Sequence, residues 1–112
     1  KAEIDLMALE YTELRVLSRE NAGQGPGPES SILKILGTEI QQALTTLIVE
    51  ALGYQGLPYG LPEADPSANL PPLVPEHAGE AMCEHLYLRA CTIYGGSNEI
   101  QRNIIAKAVL GL

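Results

Sequence analysis

The 112 residues are 46% apolar and 19% charged, with a formal charge of -7 from 14 acidic and 7 basic side chains. The length suits one domain, the balance of apolar and charged residues excludes a disordered chain, and the lack of clustered Lys and Arg argues against a nucleic-acid partner. Uninterrupted apolar runs are only a few residues long, well short of the ~20 that span a bilayer, so no membrane span is expected.

Residues 2–20 read as a helix, with Ile4, Met7, Tyr11, Leu14 and Leu17 at spacings of three and four. The chain opens inside this amphipathic stretch without an initiator Met, as expected for a piece of a longer protein. Gly and Pro in the run Asn21 to Pro28 break the pattern. A second helix is predicted from about Pro28 to Leu52. Its stripe of Ile32, Ile35, Leu36, Ile40, Ala43, Leu44, Leu47, Ile48 and Ala51 is wide enough to need partners on more than one side, and Gly53 ends it.

Residues 58–74 contain Pro58, Pro62, Pro66, Pro71 and Pro72 and read as an irregular, Pro-rich insertion. Pro75 suits a first helical position, so a third helix is expected from there to about Cys91, with Ala78, Met82, Leu86 and Arg89 aligned. A last helix starts near Asn98, with Ile100, Ile104, Ile105, Ala108 and Val109 on its apolar face. Asn98 and Gln101 have the spacing of a capping box. The expected fold is all-α: one domain over residues 1–112, an antiparallel four-helix bundle. Having no Trp or Phe, its core must be aliphatic.

Several chemistries are argued against by spacing. Di-metal bundles need Glu-x-x-His pairs, and none occurs. His77 and His85 fall on one helix, and His77 with Glu80 or Glu84 reads as a solvated acidic face, so no metal site is expected. No nucleophile elbow, Walker loop or Cys-x-x-Cys is present. Cys83 and Cys91, eight residues apart on a helix, would sit roughly 12 Å apart along its axis, too far for a disulfide. Free thiols suit a reducing compartment, the cytoplasm in preference to a mitochondrial matrix.

The informative segment is Ile93 to Leu112, IYGGSNEIQRNIIAKAVLGL. Gly95 and Gly96 offer main chain that a planar ligand can approach without meeting a Cβ. Ser97, Asn98 and Glu99 then open a helix whose first N–H groups and positive dipole end point outward.

This segment resembles the C-terminal signature of the acyl-CoA dehydrogenases over about twenty residues, and Glu50 to Leu57 resembles the turn after that family's penultimate long helix. The resemblance implies a four-helix C-terminal domain of an FAD enzyme that packs with an N-terminal helical domain and a middle β-domain, in a dimer or tetramer. It implies that Ser97, Asn98 and Glu99 contact the flavin, that Glu50, Gly53 and Tyr54 approach the pyrophosphate or adenosine part of FAD held by another subunit, and that Tyr94, Gly95 and Gly96 line the thioester pocket. The implied reaction is α,β-dehydrogenation of an acyl-CoA to a trans-2-enoyl-CoA, with electrons passed to an electron-transferring flavoprotein. Two departures stand out. Gly95 occupies a position where many members carry the catalytic Glu, so no catalytic base is expected in this chain and the isolated domain is expected to be inactive. Glu50 stands where several members carry Gln. The alternatives are a non-catalytic or scaffold subunit of a similar oligomer, or a fold relative such as an acyl-CoA oxidase.

Overall fold

The computed structural model describes residues 1–25, 27–59, 74–75 and 78–111. Among them the chain forms four α-helices and no strand: α1 (Ala2–Asn21), α2 (Glu29–Leu52), α3 (Ala81–Tyr87) and α4 (Asn98–Leu110), with 3₁₀ turns at Gly53–Gly56 after α2 and Leu88–Thr92 after α3. The expected 58–74 insertion falls mostly on residues outside those described.

Helix bounds follow local chemistry. Glu3 and Asp5 sit in the first turn of α1 and Arg19 in its last, matching the dipole at each end. The Asn21–Gly23 turn ends it, with the N–H of Gly23 donating to the Glu20 carbonyl at 2.9 Å. The carbonyl of Pro28 accepts from Ser31 and Ile32 and so opens α2. The third helix differs from expectation. It starts at Ala81, not Pro75, and continues from Leu88 as a tighter 3₁₀ turn. Pro75 does open a turn, its carbonyl accepting from the Ala78 N–H at 2.9 Å, but the α-helix is taken up only at Ala81.

The chain divides into two compact units, one of Lys1–Gln41 with Ala90–Leu112 and the other of Gln42–Arg89; α2 lends its first part to one and its remainder to the other. In the first unit α1 and α2 run antiparallel. Arg19 pairs with Glu29 at one end, while an added Cβ on Gly37 would sit 3.7 Å from Leu9 at the other. Helices α2 and α4 ascend together, since Lys34 meets Asn98 and Glu39 meets Arg102 at 3.1 Å, as alternate helices of an up-down bundle do. In the second unit Gln42 Nε2 donates to the Leu88 carbonyl at 3.1 Å, and Arg89 donates to the Gln42 carbonyl and to Thr45.

Little is buried. Among the described residues, Ile35 and Cys91 in the first unit and Ala78, Ala81 and Leu88 in the second are the buried apolar ones, and α1 buries none. Ile4, Met7, Tyr11 and Leu14 of α1 are all at least half exposed, and Leu36, Leu44, Leu47 and Ile48 of α2 are also exposed. With its following turn, α2 is long and apolar enough to cross a membrane by length and composition, a property that counting uninterrupted runs missed. A core helix passes the same test, and the side-chain contacts of Lys34, Glu39 and Gln42 with neighbouring segments are those of a core helix. Both cysteines are free thiols; that of Cys91 is buried and donates to the Thr38 carbonyl at 3.5 Å. No cluster of three metal-ligating side chains occurs among the described residues, which do not include His77.

Candidate functional site: the glycine corner ahead of α4

After the Leu88–Thr92 turn, the N–H groups of Ile93 and Tyr94 both bond to the Ala90 carbonyl, and the chain then reverses through Gly95 (φ +67°) and Gly96 (φ +86°). Left-handed backbone costs an L residue about 1–2 kcal/mol, which glycine avoids. The two glycines differ in what surrounds them. A Cβ added to Gly95 would meet nothing within 4 Å, whereas one on Gly96 would lie 2.7 Å from the Gln101 amide nitrogen. That amide donates to the Gly95 carbonyl at 3.4 Å and so braces the turn across the start of α4. Both glycines and the Tyr94 ring beside them are exposed. The bare main chain expected from the sequence is therefore open to a ligand.

Ser97, in extended backbone, is the N-cap of α4, and its Oγ accepts from the N–H of Ile100. This corrects the capping-box reading. Asn98 is already the first residue of the helix, and its amide turns inward: Asn98 is only 4% exposed. Its Oδ1 accepts from Lys34 Nζ at 2.8 Å, and its Nδ2 donates to Thr38 Oγ1 at 3.4 Å. Of Ser97, Asn98 and Glu99, therefore, Asn98 faces the protein, Ser97 is half-buried in its cap, and Glu99 is exposed.

The Glu99 carboxyl is held below the usual carboxylate range, first by its own backbone N–H, then by the Ser97 hydroxyl, and further by the charges of Arg102 and Lys34. It is fully exposed and ionised at neutral pH. A carboxylate already fills the positive end of α4, so this corner suits ligand N–H or hydroxyl donors better than phosphate. The lowered pKa makes Glu99 a weaker base than an ordinary carboxylate.

Residues 1–110 match the family profile described as "Acyl-CoA dehydrogenase, C-terminal domain". The chain belongs to the acyl-CoA dehydrogenase family. It is similar to "Acyl-CoA dehydrogenase IpdE1" of Mycobacterium tuberculosis, 37% identical over 91 residues, covering 81% of this chain and 20% of the relative. It is likewise similar to the protein of the same name from Mycolicibacterium smegmatis, 35% identical over 107 residues, covering 96% and 22%. The chain thus spans about a fifth of the length of these relatives. No solved structure matches it.

In this acyl-CoA dehydrogenase domain the second glycine turn belongs to the other unit. Gly53 (φ +55°) ends α2 and is exposed, as are Tyr54 and Glu50. Gly56 is buried, where an added Cβ would come within 3.1 Å of the Val49 carbonyl oxygen. The turn follows a helix C-terminus, the negative end of the helix dipole, and Glu50 adds a full negative charge. Neither favours a phosphate.

Sequence reasoning missed Lys34 and Thr38 as supports of the α4 corner, and it placed Gln101 there as a capping-box partner where its amide instead bonds the Gly95 carbonyl. A signal for Lys34 existed: it is a lone cation inside the apolar stripe of α2, where charge is uncommon without a partner. Nothing local could have paired it with Asn98, 64 residues away. A shallow cleft lined by Thr12, Arg15, Val16, Arg19, Glu29 and Ile32 shares no residue with the corner, and the Arg19–Glu29 ion pair spans it.

Proposed function

We propose that this chain is the C-terminal helical domain of an FAD-dependent dehydrogenase acting on acyl-CoA thioesters to give trans-2-enoyl-CoA. The observation that carries the reading is the exposed left-handed pair Gly95–Gly96, opening directly into a helix capped by Ser97. Acyl-CoA dehydrogenases are generally FAD-dependent, and the corner fits the flavin portion of that cofactor. Gly95 has no side chain and open space beside it, Ser97 offers a hydroxyl, and Glu99 offers an acceptor for N–H or hydroxyl groups. Bound there, the flavin would accept hydride from the substrate β-carbon. Tyr94 and the Gly95–Gly96 main chain would border the thioester. Proton removal at the α-carbon falls to a group outside this chain, because Gly95 carries no acceptor and the contacts at its own turn make the exposed Glu99 carboxylate a weaker base.

The pyrophosphate or adenosine part of FAD near Gly53 and Tyr54 is the less favoured half of this reading, since Glu50 and the end of α2 both present negative charge. Partners in this reading are the acyl-CoA, an electron-transferring flavoprotein and further copies in a dimer or tetramer, in a reducing compartment such as the cytoplasm. The glycine at 95 also favours a second reading, a non-catalytic subunit that only completes an oligomer. Purifying the full-length protein and reducing it anaerobically with an acyl-CoA panel separates them. Bleaching of the flavin absorbance is expected. A full-length protein that retains no flavin would contradict the proposal, and one that binds flavin but is reduced by no acyl-CoA would support the second reading.

A further inference from the structure

The polar contacts beneath the α4 corner form a chain with one consistent orientation. Lysine has only donors to give, so the Asn98 oxygen must face Lys34. The Thr38 hydroxyl has a single proton and lies 2.9 Å from the Ile35 carbonyl and 3.0 Å from that of Lys34, against 3.4 Å from Asn98. The shorter bonds take that proton, leaving Thr38 to accept from Asn98 Nδ2. Cys91 Sγ bonds the Thr38 carbonyl from the other side. A neutral Asn–Thr pair would suffice to dock α4 on α2, yet the partner of the Asn98 oxygen is a half-buried ammonium, which is costly to desolvate. Its charge also reaches the ligand-facing side, because Lys34 and Arg102 together help hold the neighbouring Glu99 carboxylate ionised.

We propose that Lys34 is a positioning residue for the flavin corner: through Asn98 it fixes the first turn of α4 and keeps a positive charge behind it, on which both flavin affinity and flavin reduction potential depend. The inference rests on the flavin reading above. Its physical content is that the charge favours the more negative, reduced form of a bound flavin, while the hydrogen bond holds Ser97 and Glu99 in place.

The test uses the full-length flavin-loaded protein. Lys34→Met should weaken flavin binding on the order of tenfold, the usual scale of a charge-assisted hydrogen bond, and move the midpoint potential to more negative values. Lys34→Arg should recover the potential. Asn98→Asp serves where Lys34→Met folds poorly: it keeps the side-chain shape and the Lys34 contact, gives up the Nδ2 bond to Thr38 and cancels the charge, so the potential should fall whatever the loss of stability. A Lys34→Met protein that loses thermal stability with flavin affinity and potential unchanged would reduce Lys34 to a structural residue and overturn the proposal. An unchanged potential in Asn98→Asp would do the same. A wild-type protein without flavin removes the reading beneath it, whereas a flavin-loaded wild type with unresponsive variants removes this inference alone.

Discussion

The two glycine turns share a backbone conformation and differ in everything around it. Gly95 and Gly96 lead into a helix N-terminus that is capped by Ser97, braced by Gln101 and backed by the Lys34–Asn98 pair. Gly53 follows a helix C-terminus, beside an exposed Glu50 and a Tyr54 that is 91% exposed. A positive φ is thus a poor guide to a binding site on its own. What separates the turns is the sign of the adjacent helix end and the number of side chains committed to holding it. In the proposed reading the first turn suits a ligand with donor groups, while the second presents only negative charge.

The sharpest way to break that comparison is Gly96→Val in the full-length protein. A β-branched residue at φ +86° with the Gln101 amide 2.7 Å from its Cβ should weaken flavin binding on the order of a hundredfold, the upper end of one strained residue's effect. Fluorescence titration measures it, and wild-type affinity would show that the ligand lies elsewhere. Gly95→Ala isolates the backbone term, since no neighbour crowds that Cβ. It should cost about 1–2 kcal/mol of stability, read from a denaturant midpoint at constant slope. Ser97→Ala should cost about 1 kcal/mol through loss of the cap; a loss well below that would mean the long 3.5 Å bond to Ile100 contributes little.

Smaller effects sharpen the electrostatic side. Glu50→Gln should raise FAD affinity slightly at low salt if phosphate passes the Gly53 turn, and leave it unmoved at high salt. For Glu99 the sign follows from its depressed folded-state pKa. The stabilisation is present above the unfolded value of about 4.5 and is lost as pH falls through the lower folded value. The stability gap between wild type and Glu99→Gln should therefore narrow on acidification below pH ~4.5. A gap constant from neutral to acid would mean the carboxylate does not interact with the helix end.

Much of this was legible in the sequence, and the residues show why. The ends of α1, α2 and α4 were set by Gly and Pro, whose backbone limits act locally, and all three helices lie where periodicity places them. The glycine corner was legible for the same reason. The start of α3 was not, because Pro75 permits a helix without requiring one and the chain passes through a turn before Ala81. The cap was misassigned by one residue, since Ser97 and Asn98 are both good caps and only the burial of Asn98 against Lys34 and Thr38 decides between them. That contact spans 64 residues and has no local signature. The apolar face of α1 was visible as a periodic stripe, and the helix leaves that face exposed.

The empty space beside Gly95 has an evolutionary consequence. Glycine and glutamate codons can differ by one nucleotide, and a Cβ at this position would meet no neighbour within 4 Å, leaving the strain of its backbone angle as the local cost. A carboxylate could therefore enter or leave this corner in one genetic step without repacking the helices around it.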